Sequence, residues 1–143
     1  MLEKHGLCIF VENEFGVIQR LTNLFSARGM SIETIHTTTV DSKQNISQVS
    51  ISLYESDKNI ELVQKLLMRI LIVHEVLHIK MEEGVEYFSQ IFHTNESFSH
   101  DNLSLFTCEE KPEINCITGG KEFLDEFCNA NKNFQFVKNF QVF

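Results

Sequence analysis

The sequence predicts an α+β protein in two parts. A β-α-β-β-α-β unit, the ferredoxin-like order, is predicted over residues 1–81, and a smaller α+β unit over residues 82–143. Three observations predict this. Apolar residues alternate along early segments as in half-buried strands. Segments between them carry apolar residues at helical spacing. The chain then changes character at a charged, glycine-containing run after Lys80.

The first strand and helix are predicted between residues 7 and 29. Leu7, Ile9 and Val11 share one face of a strand, and a turn signal follows at residues 13–16. An apolar helical stripe comes next, formed by Val17, Ile18, Leu21, Leu24 and Phe25. Gly29 is predicted to end this helix, because a helix C-terminus favours glycine.

A hairpin and a second helix are predicted next. Residues 32–40 and 49–53 have strand composition and alternation, and residues 41–45 form a polar turn between them. Ser56 is the predicted N-cap of the second helix. The apolar stripe of that helix consists of Ile60, Val63, Leu66, Leu67, Ile70 and Leu71.

Residues 74–78 read HEVLH, a literal match to the H-E-x-x-H helix of zinc proteases. On a helix, His74 and His78 share a face and could bind one zinc ion. On a strand they lie about 13 Å apart, which is too far. The unit requires its fourth strand here, and the β-branched residues just before favour leaving a helix, so a strand is predicted. One long helix carrying a zinc site is the alternative.

The second part has weaker patterns. Residues 85–92 fit a strand or a short helix. The other predicted strands are residues 103–108, 114–118 and 134–143, with a helix at residues 121–129. Loops or turns are predicted at residues 93–102, 109–113 and 119–120.

Composition excludes several classes of protein. A net charge of −8 argues against a nucleic-acid partner. The N-terminus has no signal-peptide pattern, and the longest apolar stretch is too short to span a membrane. The four cysteines have neither zinc nor disulfide spacing, so we expect reduced thiols used as apolar residues in the cytoplasm.

The turn before the first helix is a candidate binding site. The backbone N–H groups of Gly16, Val17 and Ile18 would have no helical partner, and the helix dipole lies behind them. The first helical turn holds no acid, so these groups could hold a carboxylate. Asn13 could offer its amide oxygen to an ammonium group. A site for a free amino acid is one interpretation, and a plain strand–helix turn is the other.

Residues 11–35 (VENEFGVIQRLTNLFSARGMSIETI) resemble the ACT domain that begins the small, regulatory subunit of acetolactate synthase (acetohydroxyacid synthase). The matching positions are residues 11–14, 16–17, 24–26, 28–29 and 32–35. The resemblance extends over residues 1–81 and is weaker over residues 114–143. The region between is shorter than usual in that family and lacks the pattern of a helix common there.

The resemblance implies a non-catalytic subunit. Such subunits form homodimers, bind and activate the catalytic subunit, and confer feedback inhibition by valine or another branched-chain amino acid. Thiamine diphosphate, magnesium and flavin (FAD) belong to the catalytic partner, so no cofactor is expected in this chain. The effector lies between the strand–helix loop of one chain and the second strand of the other. The implied effector-binding residues are Asn13, Gly16, Val17, Ile18, Ser31 and Ile35.

Three alternatives stay open at this point. Ser31 replaces the asparagine usual in the family, so the chain could activate its partner without feedback control. It could also be a stand-alone amino-acid sensor, or the zinc peptidase suggested by HEVLH. The catalytic subunit could contact a sheet edge or a serine face formed by Ser47, Ser50 and Ser52.

Overall fold

A computed structural model describes residues 2–95, 104–108 and 113–143. These form two compact units, one spanning Met1–Glu82 together with Phe143, and the other spanning Glu83–Val142. Each unit combines one antiparallel sheet with helices, so the predicted α+β class is confirmed.

The first unit has the predicted β-α-β-β-α-β order. Its elements are β1 (Glu3–Glu12), α1 (Val17–Ser26), β2 (Ile32–Asp41), β3 (Ile46–Glu55), α2 (Asp57–Leu67) and β4 (Val73–Lys80). The strands lie in the order β2-β3-β1-β4, and every neighbouring pair is antiparallel. β2 and β4 are therefore the edges of this sheet.

One mainly aliphatic core joins the sheet to both helices. Its strand residues include Leu7, Ile9, Val11, Val49, Ile51 and Leu53, and its helix residues include Val17, Leu21, Phe25, Ile60, Val63 and Leu67. Full burial of one such side chain contributes about 1.5–3 kcal/mol. This packing fixes the N-terminus of α1 at the end of β1.

The helix ends are mostly where the sequence places them. Gly29 has φ +69°, and the Met30 N–H donates to Phe25 O at 3.0 Å, which is a Schellman ending. The Ser56 hydroxyl accepts from the Asn59 N–H at 3.3 Å and caps α2. The predicted stripe of α2 is too long, because the helix ends at Leu67 and the next residues form turns.

The HEVLH segment is a strand, as predicted. It lies within β4, where His78 is opposite Leu7 of β1. The alternative of one long helix is therefore wrong. On the strand, His74 and His78 lie about 13 Å apart and contact different neighbours, so the zinc site of a peptidase is wrong as well. His74 Nε2 lies 3.7 Å from Glu12 Oε1, and His78 Nε2 lies 2.8 Å from His5 Nδ1.

The second unit is a smaller α+β unit. Its elements are β5 (Tyr87–His93), β6 (Ser104–Thr107), β7 (Ile114–Gly120), α3 (Lys121–Ala130) and β8 (Gln135–Val142), with strand order β6-β7-β5-β8. Residues 85–92 thus supply a strand rather than a short helix. The predictions for residues 96–103 and 109–112 lie outside the described residues.

The predicted turn at Gly119–Gly120 is wrong. Both residues belong to β7 and pair with β5, and α3 begins immediately after them. A Cβ atom on Gly119 would lie 2.6 Å from the ring of Phe123. This glycine is therefore explained by the close approach of the α3 side chain to the strand, and no turn is needed.

Two further features bear on the class of protein. In the part of the chain that the structure describes, no helix is long and apolar enough to cross a membrane. The four cysteines are free thiols; Cys8, Cys108 and Cys116 are buried, and Cys128 is partly exposed.

Candidate effector site

The loop between β1 and α1 is held by bonds from two other loops. The Glu12 N–H donates to Ile72 O at 2.9 Å, in the turn before β4. The Asn13 N–H donates to Asn45 O at 2.8 Å, and the Asn45 side-chain amide donates back to Asn13 O at 3.1 Å. The loop is therefore fastened to the β2–β3 turn and to the α2–β4 turn.

Gly16 is the N-cap of α1 in a left-handed conformation, with φ +80° and ψ +7°. Residues other than glycine, asparagine and aspartate adopt this backbone conformation only at a cost in conformational free energy. A Cβ atom added to Gly16 would meet nothing within 4 Å. The backbone at the start of the helix is thus open to a ligand.

The number of available backbone donors is smaller than the sequence suggests. The Val17 N–H donates to Glu14 O at 3.3 Å, so the expectation of three donors is wrong for this residue. The N–H groups of Gly16 and Ile18 have no acceptor among the described residues. As predicted, the first turn of α1 has no acidic residue. Two N–H groups at a positive helix end remain to hold an anion.

The side chains around the loop divide into two groups. Val17 is buried in the core and Ile18 packs against it, so only their backbones face the loop. Asn13 is exposed, and its side-chain amide has no partner in the described part of the chain. Asn13 can therefore meet a polar group of a ligand while its own backbone stays fixed.

Ser31 and Ile35 are not close to Gly16 within one chain. Gly16 precedes α1 and Ser31 follows it, and the ten residues of α1 span about 15 Å. Ile35 is 40% exposed on the edge strand β2. One copy of the chain does not bring all six predicted residues together, and a second copy would have to supply Ser31 and Ile35.

Sequence reasoning missed two residues that shape this loop, one in the β2–β3 turn and one in the loop itself. Asn45, with φ +57°, pins the loop through its amide, and the only signal for it is an asparagine in a polar turn. Phe15, beside Gly16, is fully exposed. A phenylalanine between turn residues is the signal that could have marked it.

The proposed serine face is wrong as a contact surface. Ser47, Ser50 and Ser52 are buried on β3, which is an interior strand of the sheet. The hydroxyls of Ser52 and Thr34 form a hydrogen bond between β3 and β2. Because all three serines are buried, they do not form an exposed face for a partner.

A second polar cluster lies at the other end of β1. Donor atoms of Glu3, His5 and Asp57 lie within 4.8 Å of one another, close enough to surround a cation. The Lys80 ammonium group already pairs with Glu3 and lies 3.7 Å from Asp57 Oδ2. The single lysine offsets one of the two carboxylate charges and already bridges both groups, so we assign no metal to this cluster.

The first unit has the architecture of an ACT domain. It is a βαββαβ sandwich in which the loop after β1 ends at the glycine N-cap of α1, and β2 is an edge strand. Residues 7–75 match the family model described as the AHAS small subunit-like ACT domain. The matched stretch covers most of the first unit.

Curated relatives have the corresponding name. The acetolactate synthase small subunit of Buchnera aphidicola subsp. Schizaphis graminum is 32% identical over 80 residues, which are 56% of this chain and 50% of that protein. A probable acetolactate synthase small subunit of Archaeoglobus fulgidus is 34% identical over 83 residues, 58% of this chain and 51% of the relative. The chain spans about half the length of these relatives.

A solved structure resembles both units. The acetolactate synthase small subunit of Thermotoga maritima aligns with a TM-score of 0.51 and 21% identity, covering 97% of this chain and 92% of that chain. At this identity the likeness shows the fold alone.

Proposed function

We propose that this chain is a non-catalytic regulatory subunit of acetolactate synthase, which activates the catalytic subunit and confers feedback control by a branched-chain amino acid. One observation carries the proposal. In an AHAS small subunit-like ACT domain, the loop at Gly16 presents two unpaired N–H groups to open space at a helix N-terminus. That arrangement suits a small carboxylate.

The effector in this proposal is a zwitterion, with valine as the first candidate. Its carboxylate accepts from the N–H groups of Gly16 and Ile18. Its ammonium group donates to the Asn13 side-chain oxygen. Its apolar side chain faces Ile35 of a second copy, and Ser31 of that copy borders the site.

Homodimer formation is part of the proposal, because Ser31 and Ile35 lie far from Gly16 in one chain. β2 is an edge strand with backbone groups that can pair with another strand. An effector held between two copies stabilises one arrangement of the dimer. The catalytic subunit responds to that arrangement through a coupling free energy, typically about 1–3 kcal/mol.

The chemistry takes place in the partner. Thiamine diphosphate, magnesium and FAD are proposed to be bound by the catalytic subunit, and this chain supplies no catalytic group. Its contribution is to change the activity of the partner and to make that activity depend on effector concentration.

Acetolactate formation tests the function directly. The catalytic subunit is assayed alone, with this chain, and with this chain across a valine titration. We expect stimulation by the chain and its reversal by valine. Stimulation without a valine response would identify a subunit that lacks feedback control. Absence of stimulation, with no thiamine-dependent enzyme recovered by pull-down, would favour a stand-alone sensor.

The site has its own test, the pair Gly16→Asp and Gly16→Asn. Asparagine and aspartate have the same shape and both tolerate left-handed backbone. Only aspartate places a negative charge where the effector carboxylate lies. Calorimetry should show valine binding to the Gly16→Asn variant and none to Gly16→Asp, while both variants still stimulate the catalytic subunit. Equal affinity in the two variants would contradict the site.

A further inference from the structure

Two histidines from different strands meet at the end of the first sheet that lies away from Gly16. His5 is fully buried on β1, seven residues or about 23 Å from Glu12. Its Nδ1 lies 2.8 Å from Nε2 of His78 on β4. The His78 side chain reaches solvent. A proton can therefore reach the pair through His78.

The partners of His5 fix where its protons are. Its Nε2 lies 3.1 Å from the Glu55 carbonyl oxygen and 3.4 Å from Asp57 Oδ1, and both of these are acceptors. Nε2 therefore carries a hydrogen, and Nδ1 shares its hydrogen bond with His78. With zero or one added proton, one N–H lies between the two rings. A second added proton places an N–H on each of two atoms 2.8 Å apart, and the contact must break.

Every element next to this pair carries charged groups. Glu3 and Asp57 approach from β1 and α2, and Lys80 of β4 pairs with both of them. The Glu55 carboxylate of β3 accepts from the Ser56 N–H and the Asn59 side chain; these bonds, and to a smaller extent the charge of His5, lower its pKa. Lys4 of β1 pairs with Glu33 of β2 at 3.4 Å.

These surroundings suit one positive charge on the pair and disfavour two. Asp57 is the carboxylate that directly faces His5, and its charge is already shared with Lys80. A single imidazolium is stabilised by Asp57. A second imidazolium would repel the first across a contact of 2.8 Å, and the two rings could no longer share a hydrogen bond.

We propose that the His5–His78 pair is an acid-sensitive clasp between β1 and the edge strand β4, which stays closed with one added proton and opens with the second. Opening releases the C-terminal end of β4. That end is otherwise held to β1 by backbone pairing and by the Met81 N–H, which donates to Lys4 O at 3.0 Å. The clasp lies at the opposite end of β1 from the proposed effector site.

The direction of the pH dependence follows from His78. Burial, and next the charge of His5, lower the pKa of the His78 imidazole from its ordinary 6.5. Below about pH 6.5 the unfolded chain therefore binds more protons than the folded chain at this position. Stability is complete above that pH and is lost as the pH falls towards the folded pKa.

The test uses the full chain with the variants His78→Gln and His74→Gln. Glutamine at position 78 keeps a donor for His5 but does not titrate. His74 lies on the same strand and at the other end of the same motif, so it is the matched control. Chemical denaturation between pH 7.5 and 5 should show wild type and His74→Gln losing stability together. Their folding equilibrium constants should fall by a fraction of the tenfold per pH unit that one coupled proton allows.

His78→Gln should flatten the dependence of stability on pH. In this variant, the amide hydrogen exchange of Lys80 and Met81, corrected for intrinsic rates, should no longer become faster as the pH falls. Proton NMR of wild type gives a reading that needs no variant, since the His78 ring should titrate below 6.5. A His78 midpoint at or above 6.5, or the same pH dependence in wild type and His78→Gln, would overturn the proposal.

Discussion

The two sheets of this protein share one strand order but differ in what connects and covers the strands. The first is β2-β3-β1-β4 and the second β6-β7-β5-β8, which is the same arrangement when each unit is counted from its own first strand. In the first unit, residues 13–31 connect the first two strands and contain α1. In the second, residues 94–103 do so, and most of them lie outside the described residues.

The cores differ as well. The first unit packs aliphatic side chains from two helices against its sheet. The second packs phenylalanines, with the Phe92 ring stacked on Phe134 at 5.3 Å and tilted against Phe127 at 5.3 Å. The comparison teaches that the strand order follows from the alternation of apolar residues and from the connections between strands. A binding loop depends instead on the segment that connects two particular strands. Among the described elements, only the first unit has a glycine N-cap in left-handed conformation.

The largest expected effect compares the two cores. Phe92→Ala and Phe25→Ala each remove a fully buried ring, and each should lower the free energy of unfolding by about 3–5 kcal/mol. Phe92 should be at the upper end, because it also loses aromatic contacts of about 0.5–1.5 kcal/mol each. Urea denaturation of both variants measures this. A smaller loss for Phe92→Ala than for Phe25→Ala would contradict an aromatic contribution to the second core.

An intermediate effect concerns the C-terminal end of α1. Gly29→Ala should lower the free energy of unfolding by about 1–2 kcal/mol, because φ is +69° there and the cost comes from the backbone alone. Gly29→Asn is the control, since asparagine tolerates this conformation and should lose less. Thermal denaturation of the two variants decides the matter, and equal losses would show that left-handed strain is not the cause.

The smallest effect compares helix N-termini. α2 has the Ser56 hydroxyl as its cap, whereas the N-cap residue of α3 is Gly120, which has no side chain to cap the helix. Ser56→Ala should lower the free energy of unfolding by about 1 kcal/mol. Gly120→Ser should raise it by at most a few tenths, because a Cβ there meets Val85 Cγ1 at 3.4 Å. Parallel denaturation curves measure both changes, and a loss in Gly120→Ser would mean that this contact outweighs the cap.

The order of elements in the first unit could be predicted because local pattern and tertiary requirement agree there. Ser56 and Gly29 mark helix ends through short-range chemistry, and the sequence predicts a strand at HEVLH because the sheet requires one. The Gly119–Gly120 prediction failed for the opposite reason. There the glycine is dictated by the ring of Phe123 in space, and a turn signal cannot be told from a close approach in sequence.

The candidate site was predictable only in part. Gly16 and the acid-free helical turn are visible in the sequence. The bond from Val17 to Glu14, and the pinning of Asn13 by Asn45, depend on how two turns close and leave no local trace. The pairing of His5 with His78 could not be predicted either, because it depends on the register between β1 and β4, which lie at the two ends of the first unit in sequence.

The double fastening of the Asn13 loop has a consequence for any molecule that binds there. Its backbone bonds to Asn45 and Ile72 tie neighbouring turns to it, so the loop is already shaped before an encounter. Little conformational entropy remains to be lost, and binding free energy can go into contacts rather than ordering. Preorganisation of this kind lets a ligand as small as an amino acid bind measurably with only a few polar contacts.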